Sequence, residues 1–308
     1  MELFMKKALV CGGAGFVGSA VVRELLDRNV ETWVVVREGF VDRNHRLEGL
    51  PVHLVECNLD EIAKIPERIS ERDIDVWYQF AWDGLFYEPL LDYKRQIANI
   101  QYVMDAIISA KAIGCKKFVG SGSITQYELT VPEGRNAVGD KHKIYKTAKL
   151  ACEYMGEAVA QQQEIDFIWP IFTNIFGVGE TSNRLINSMI RNLQAGKHQS
   201  LSEGNQIYDF IYITDAAKAL YLIGEKGRAG GHYVLAGGDA KPLKEFLETL
   251  RNVVDPSAEL GFGEMSFNGI YLPAEMYSIK ELTADTGFVP EVPFDEAVRL
   301  TADWIKEQ

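Results

Sequence analysis

The chain has 308 residues, of which 47% are hydrophobic and 25% charged, and 32 basic against 44 acidic residues give a formal net charge of −12. That profile belongs to a folded globular protein, long enough for one large α/β domain or two lobes, and its acidity argues against a nucleic-acid partner, because phosphate backbones recruit clustered basic side chains. No apolar run approaches the roughly 18 residues that span a bilayer, and the first seven residues lack the apolar core of a secretory signal, so no membrane partner and a cytoplasmic location are expected.

Residues 6–11 are a short apolar run, the first strand. Gly12-Gly13-Ala14-Gly15-Phe16-Val17-Gly18 follows at once and opens a helical pattern over 16–26. Glycines between a buried strand and a helix N-terminus let the backbone approach a pyrophosphate, which then rests on free N–H groups. This predicts dinucleotide binding. The second strand, 32–36, is β-branched and apolar, as a parallel strand buried on both faces should be. An acid at its end would accept from the ribose 2′-hydroxyl of NAD. Here Arg37 follows, and an Arg suits the 2′-phosphate of NADP, although Glu38 is adjacent. NADP is therefore the expected cofactor, ahead of NAD.

Strand candidates continue at 52–55, 74–80, 117–120 and 166–169, alternating with helical stretches at 62–72, 89–113 and 145–163. That rhythm predicts βαβ units, a parallel sheet and helices on both faces: a doubly wound α/β fold of Rossmann type. The four cysteines show no C-x-x-C pair and the histidines are scattered singly, so buried free thiols and no metal are expected.

Tyr145 and Lys149 are four residues apart on a helix, which puts both side chains on one face about 6 Å apart along the axis. A phenol titrating near 10 is a poor proton donor at neutral pH, and a neighbouring ammonium lowers that value. Tyr145 is then a candidate proton donor to a carbonyl oxygen. Ser123, just past the fifth strand, could hydrogen-bond the same oxygen.

Beyond Pro170 the pattern loosens into Gly, Asn and Thr, followed by a helix at 185–193, a strand-like run at 207–213 and a helix at 215–223. Residues 172–205 carry a net charge of +1, whereas 237–308 hold six basic and fourteen acidic residues.

With these motifs in place, the chain resembles the extended short-chain dehydrogenase/reductase family, in its nucleotide-sugar branch. The resemblance rests on the glycine loop, Asn58-Leu59, Phe80-Ala81, Asn99, Ser121-Gly122-Ser123 with Tyr127, Tyr145 and Lys149, Asn174-Ile175-Phe176-Gly177, and Asp209-Phe210-Ile211-Tyr212-Ile213 with Asp215. Phe80-Ala81-Trp82-Asp83-Gly84 and Gly120-Ser121-Gly122-Ser123 look most like the 4-ketoreductases of nucleoside-diphosphate sugars. The resemblance implies a catalytic set of Ser123, Tyr145 and Lys149. It implies a cofactor set of Gly12, Gly15, Phe16, Val17, Gly18, Arg37, Asn58, Leu59, Phe80, Ala81 and Asn99, with Tyr145 and Lys149 touching the cofactor too. Asn174 matches a residue that seats the sugar diphosphate, and Trp82, Ser123 and Thr125 complete the expected substrate contacts.

Two arginines usual in the family are replaced by Tyr208 and Ile171, and Arg184 and Arg191 on the locally basic segment are the candidate substitutes. The family's 4,6-dehydratases carry Thr-Asp-Glu where this chain has Ser123-Ile124-Thr125, and eliminating water needs that added acid and base. The implied function is reduction of a nucleoside-diphosphate 4-keto-(6-deoxy)sugar. The alternatives are an NAD-dependent nucleotide-sugar epimerase and a non-catalytic NADP-sensing protein. A homodimer through the long helices 89–113 and 145–163 is implied as well. The expected organisation is a nucleotide domain of residues 1–171 with 206–236 returning to it, and a substrate lobe of 172–205 and 237–308. Loops around 82–88, 124–140 and 174–206 would choose the sugar.

Overall fold

The computed structural model describes residues 5–85 and 88–308; residues 1–4, and residues 86 and 87 of the 82–88 loop, lie outside the described residues. The described residues form two compact units.

The first unit runs to Ile171 and adds Ala217–Tyr233 and Glu281–Phe288. Its sheet has six strands: β1 (Lys7–Cys11), β2 (Glu31–Val36), β3 (His53–Glu56), β4 (Val76–Gln79), β5 (Lys117–Val119) and β6 (Asp166–Ile168). All neighbours are parallel, in the order β3-β2-β1-β4-β5-β6. The apolar runs explain why. A strand covered on both faces has no polar side, and Leu9, Val34, Trp77 and Phe118 are completely enclosed. The chain leaves β1 toward one edge and returns through β4 toward the other. The carboxyl ends of β1 and β4 therefore flank the point where the order reverses, which is where such sheets bind ligands.

Three long helices matter for the site: α1 (Phe16–Asp27), α2 (Tyr93–Ala112) and α3 (Lys143–Gln162). The last two pack against each other. Along α3, Ala148, Cys152, Gly156 and Ala160 recur every four residues as a buried stripe of small side chains. A Cβ on Gly156 would lie 2.6 Å from the Phe167 ring, so glycine is what lets this helix lie on β6.

Two expected helices are shorter than their patterns. The 62–72 pattern resolves into a 3₁₀ turn, Leu59–Lys64, and one α-turn, Ile65–Arg68, with Pro66 in its first turn. The 89–113 pattern begins as a separate 3₁₀ turn, Glu88–Leu91, and α2 proper starts at Tyr93, because the Asp92 carboxylate caps it by accepting from Lys94 N at 3.0 Å.

The second unit comprises Phe172–Ala216, Val234–Lys280 and Val289–Gln308. Asn174–Phe176 pairs in parallel with Phe210–Tyr212, and the helices Leu243–Val254 and Phe294–Lys306 cover the pair. Its core is aromatic: Phe176 and Phe210 meet edge-on at 6.0 Å, and Phe246 and Phe294 at 4.8 Å. Phe210 and Tyr212 belong to this cluster, which is why residues 206–216 pack here, whereas the sequence groups 206–236 with the nucleotide domain. Conversely, residues 281–288 join the first unit, where Asp285 accepts from the Tyr233 hydroxyl at 2.7 Å and pairs with Arg228 at 2.8 Å.

Candidate active site

β1 ends at Cys11 and the glycine loop turns away at once. Gly12 has φ +89°, and a Cβ there would sit 2.6 Å from Ala81 N. A Cβ on Gly18 would sit 2.2 Å from Gly12 O. Both positions must be glycine because backbone meets backbone. Gly15 N donates to Gly12 O at 3.0 Å, and Gly15 is the cap residue of α1 with no side chain to occupy the first-turn N–H groups. Backbone alone lies against Gly15 and Gly18, and with Phe16 and Val17 they form a cradle at the N-terminus of α1 that fits a dinucleotide pyrophosphate. Phe80 N and Ala81 N both donate to Cys11 O, at 2.9 and 3.0 Å, which fixes the end of β4 beside the loop.

Arg37 lies exposed just past the end of β2. Next to it, Glu38 N donates to Asn58 Oδ1 at 3.2 Å, and the Glu38 carboxylate pairs with Arg68 at 3.1 Å. Asn58 also precedes the 3₁₀ turn that begins with Leu59, so Asn58 braces the loop where an adenosine ribose would lie. Arg46, which sequence reasoning missed, reaches the same loop system: its Nη1 donates to Ala14 O at 3.3 Å.

Across the switch point, Lys149 is 3% exposed, and its Nζ donates to Ser121 O at 2.7 Å. The Nζ also lies 3.6 Å from the Trp82 ring centroid and 5.8 Å from that of Tyr145. Burial pushes the Lys149 ammonium down to about 7, while the face of the Trp82 indole favours the charged form. Trp82 is therefore the lysine's packing partner. Its indole N–H donates to Gln96 Oε1 at 2.9 Å, and its ring meets Tyr145 edge-on at 5.9 Å. Asn99, expected at the cofactor, uses both ends of its amide on Asp83: it accepts from Asp83 N and donates to Asp83 O, each at 2.8 Å. It holds the turn that carries Trp82.

Ser123 caps a 3₁₀ turn, Ile124–Leu129, through a reciprocal capping box. Its hydroxyl lies 2.9 Å from Thr125 Oγ1, and its N–H donates to Gln126 Oε1 at 3.0 Å. Gln126 is fully buried, receives Trp169 Nε1 at 3.4 Å and donates to Glu153 at 2.5 Å. Trp169 in turn lies 5.7 Å from Lys149 Nζ. A continuous set of contacts thus joins Tyr145, Trp82, Lys149, Trp169, Gln126 and Ser123. Sequence reasoning quoted Ser121 within its motif without a role for it, and missed Gln126, Trp169 and Glu153. Only Glu153 carried a signal, since it lies four residues beyond Lys149 on the same helix face. Neither Ile124, which is buried, nor Thr125 supplies a carboxylate. Glu128 and Asp140 are both paired with the buried Lys146, at 2.5 and 2.7 Å.

Asn174, Arg184 and Arg191 belong to the second unit. Asn174 Nδ2 donates to Asp209 O at 3.0 Å, Arg184 stands at the cap of helix Leu185–Gln194, and Arg191 donates to Ser182 O at 3.3 Å. Among the described residues no helix is long and apolar enough to cross a membrane, and no group of three His, Cys, Asp or Glu side chains is placed to hold a metal ion.

Sheet order, glycine cradle and the Tyr/Lys helix together place the chain in the extended short-chain dehydrogenase/reductase class, with its Rossmann-type sheet. Within that class it belongs to the NAD dependent epimerase/dehydratase family, whose model matches residues 8–236. Curated relatives include dTDP-glucose 4,6-dehydratases of Neisseria gonorrhoeae, 25% identical over 97% of this chain and 95% of the relative, and of Haemophilus influenzae, 21% identical over 97% and 98%. Among solved structures, a UDP-glucose 4-epimerase of Thermotoga maritima, seen with UDP-glucose, superposes with a TM-score of 0.80 at 18% identity over 98% of this chain and 99% of its own. A UDP-glucuronic acid 4-epimerase of Bacillus cereus, in complex with NAD, gives 0.77 at 17% identity over 98% and 96%.

Proposed function

We propose that the chain is an NAD(P)-dependent oxidoreductase of nucleoside-diphosphate sugars, which reduces a 4-keto-(6-deoxy)sugar at the carbonyl carbon. The observation that carries this reading is the buried Lys149 beside Tyr145, with the Ser123 and Thr125 hydroxyls paired across the switch point and no carboxylate at the two positions after Ser123.

A dihydronicotinamide held there would supply the hydride. The protein's own residues handle the oxygen. As negative charge develops on it, the Tyr145 hydroxyl delivers a proton, leaving C–H and O–H where the C=O stood. Lys149, as an ammonium, stabilises the phenolate that remains. Ser123 donates to the same oxygen. A hydroxyl has one proton, so when Ser123 gives it to substrate, Thr125 Oγ1 must donate to Ser123 Oγ, and the 2.9 Å contact allows this. In this reading Gly12, Gly15, Phe16, Val17, Gly18, Leu59, Phe80 and Ala81 hold the cofactor, and Asn174, Arg184 and Arg191 meet the sugar diphosphate. Asn58 and Asn99 shape the cofactor loops from behind.

Several curated relatives are 4,6-dehydratases, but Ile124 and Thr125 supply neither the acid nor the base that dehydration requires. A second reading is an NAD-dependent 4-epimerase, favoured by the named activity of the similar structures and by the NAD in one of them. Arg37, exposed past β2 while Glu38 is engaged by Arg68, supports NADP and hence net reduction. The test is a comparison of purified protein for tightly held NAD against consumption of added NADPH with dTDP- and UDP-4-keto-6-deoxyhexoses. Stoichiometric NADPH oxidation supports the reductase. Bound NAD with interconversion of epimers and no net oxidation supports the epimerase. Arg37→Ala is expected to weaken NADPH binding and leave NADH binding unchanged.

A further inference from the structure

We infer that Glu153, outside the Ser/Tyr/Lys set, is a positioning residue for Ser123 and acts through Gln126; the inference rests on the reading of Ser123 as the carbonyl's hydrogen-bond donor. An amide side chain has a donor end and an acceptor end of nearly the same shape, and in a buried site nothing but its partners decides which way round it sits. Gln126 is fully buried between three groups. Two of them, Ser123 N–H and Trp169 Nε1–H, can only donate. The third is Glu153, whose carboxylate can only accept when ionised. This combination allows one orientation alone, with the amide NH2 toward Glu153 and the oxygen toward Ser123 and Trp169. Ser123 N–H and Trp169 Nε1–H draw the oxygen to their side, and Glu153 holds the opposite NH2 end, which without it has no acceptor in a buried site and no longer anchors the amide.

The consequence reaches the reacting atoms. Gln126 Oε1 accepts from the backbone N–H of Ser123, whose side chain in turn caps the same turn at Thr125 N and faces Thr125 Oγ1. If the NH2 end loses its anchor, the amide oxygen moves off the Ser123 N–H, the capping box opens, and the Ser123 hydroxyl loses its fixed direction. Glu153 also lies on the face of α3 that carries Tyr145 and Lys149, so one helix sets the proton donor, the ammonium and the support of the serine. Glu153 touches neither cofactor nor substrate in this scheme.

The test is a set of three variants compared with the unaltered chain. Glu153→Leu removes the acceptor. Gln126→Glu puts two carboxylates face to face. The exchanged pair Gln126→Glu/Glu153→Gln keeps an acceptor facing Ser123 and Trp169 and reverses only the bond between 126 and 153, because a carboxylate at 126 accepts from Ser123 N, Trp169 Nε1 and the new amide at 153. Two readouts are taken: kcat and KM on the 4-keto sugar nucleotide, and amide hydrogen exchange of residues 121–129, which needs no substrate. Expected is a fall in kcat of about 10- to 100-fold in both single variants, with cofactor affinity unchanged and faster exchange at 121–129, and recovery of both readouts in the exchanged pair. Wild-type kcat and exchange in Glu153→Leu would overturn the inference, as would failure of the folded exchanged pair to recover. If the single variants do not fold, the exchanged pair alone decides by its exchange protection. If the unaltered chain turns over no nucleotide sugar, the functional reading fails while the exchange data still decide whether Glu153 holds the serine turn.

Discussion

Lys149 owes its chemistry to its surroundings. Burial pushes its ammonium down to about 7 from a usual value of 10.5. Between pH 7 and 10.5 the unfolded chain therefore holds a proton that the folded chain has released, so this group makes stability rise as pH rises through that window; below pH 7 both states carry the proton, and the full penalty of a buried charge remains. Denaturant midpoints of the cofactor-free protein measured at pH 7 and pH 8.5, below the range where the four buried thiols ionise in the unfolded chain, should show this rise, and Lys149→Met should lose it. For Tyr145, replacement by Phe removes only the proton. Turnover is expected to fall by about 10²- to 10⁴-fold with nucleotide affinity retained, as measured by steady-state kinetics beside calorimetric binding. The residues named in these predictions were legible in the sequence because their spacing is local. Gln126, Trp169 and Glu153 were not, since they meet only when β6 and α3 close on the turn after Ser123, and no local pattern encodes that contact.

Among the elements, the glycine loop and the turn after Ser123 are held in different ways. The loop is held by backbone contact, so Gly18→Ala, whose Cβ would meet Gly12 O, should destabilise the first unit by about 1–3 kcal/mol and abolish nucleotide binding, both measurable by thermal unfolding with and without NADP(H). The segment after Ser123 is held by charge: the buried Lys146 ties Glu128 and Asp140 to α3. Lys146→Met leaves two carboxylates without their partner and is expected to cost about 3 kcal/mol, read from a shift of the urea midpoint. Strands were easier to place from sequence than helix starts. A parallel strand announces itself by an unbroken apolar run, as in β2, whereas the start of α2 depends on the single Asp92 carboxylate and the break after Leu59–Lys64 on Pro66. Hydrophobic periodicity runs through both breaks unchanged.

At the scale of the whole molecule, the negative charge says little about the site. Fourteen acidic residues fall in 237–308, whereas the proposed function calls on a helix N-terminus, Arg37 and Lys149 for the cofactor. The division into units was legible where composition changes at Pro170. The placement of 206–216 was not, because it depends on Phe210 and Tyr212 joining aromatic partners distant in sequence. Both long helices keep large apolar side chains exposed, with Ile97 62% and Tyr93 57% exposed on α2, and Tyr154 64% and Met155 49% exposed on α3. We propose that these faces pair in a homodimer, and sedimentation at micromolar concentration should give twice the 34.6 kDa chain mass, falling to the monomer in Ile97→Glu/Tyr154→Glu. The proposed reaction is hydride transfer to a sugar carbonyl without loss of water. Its most direct test is turnover of dTDP- and UDP-4-keto-6-deoxyhexoses with NADPH deuterated at the transferred position. The expected result is one deuterium per turnover on the former carbonyl carbon, with an equal amount of NADP formed. Release of water from an intact hexose nucleotide, or a product without deuterium, would contradict it.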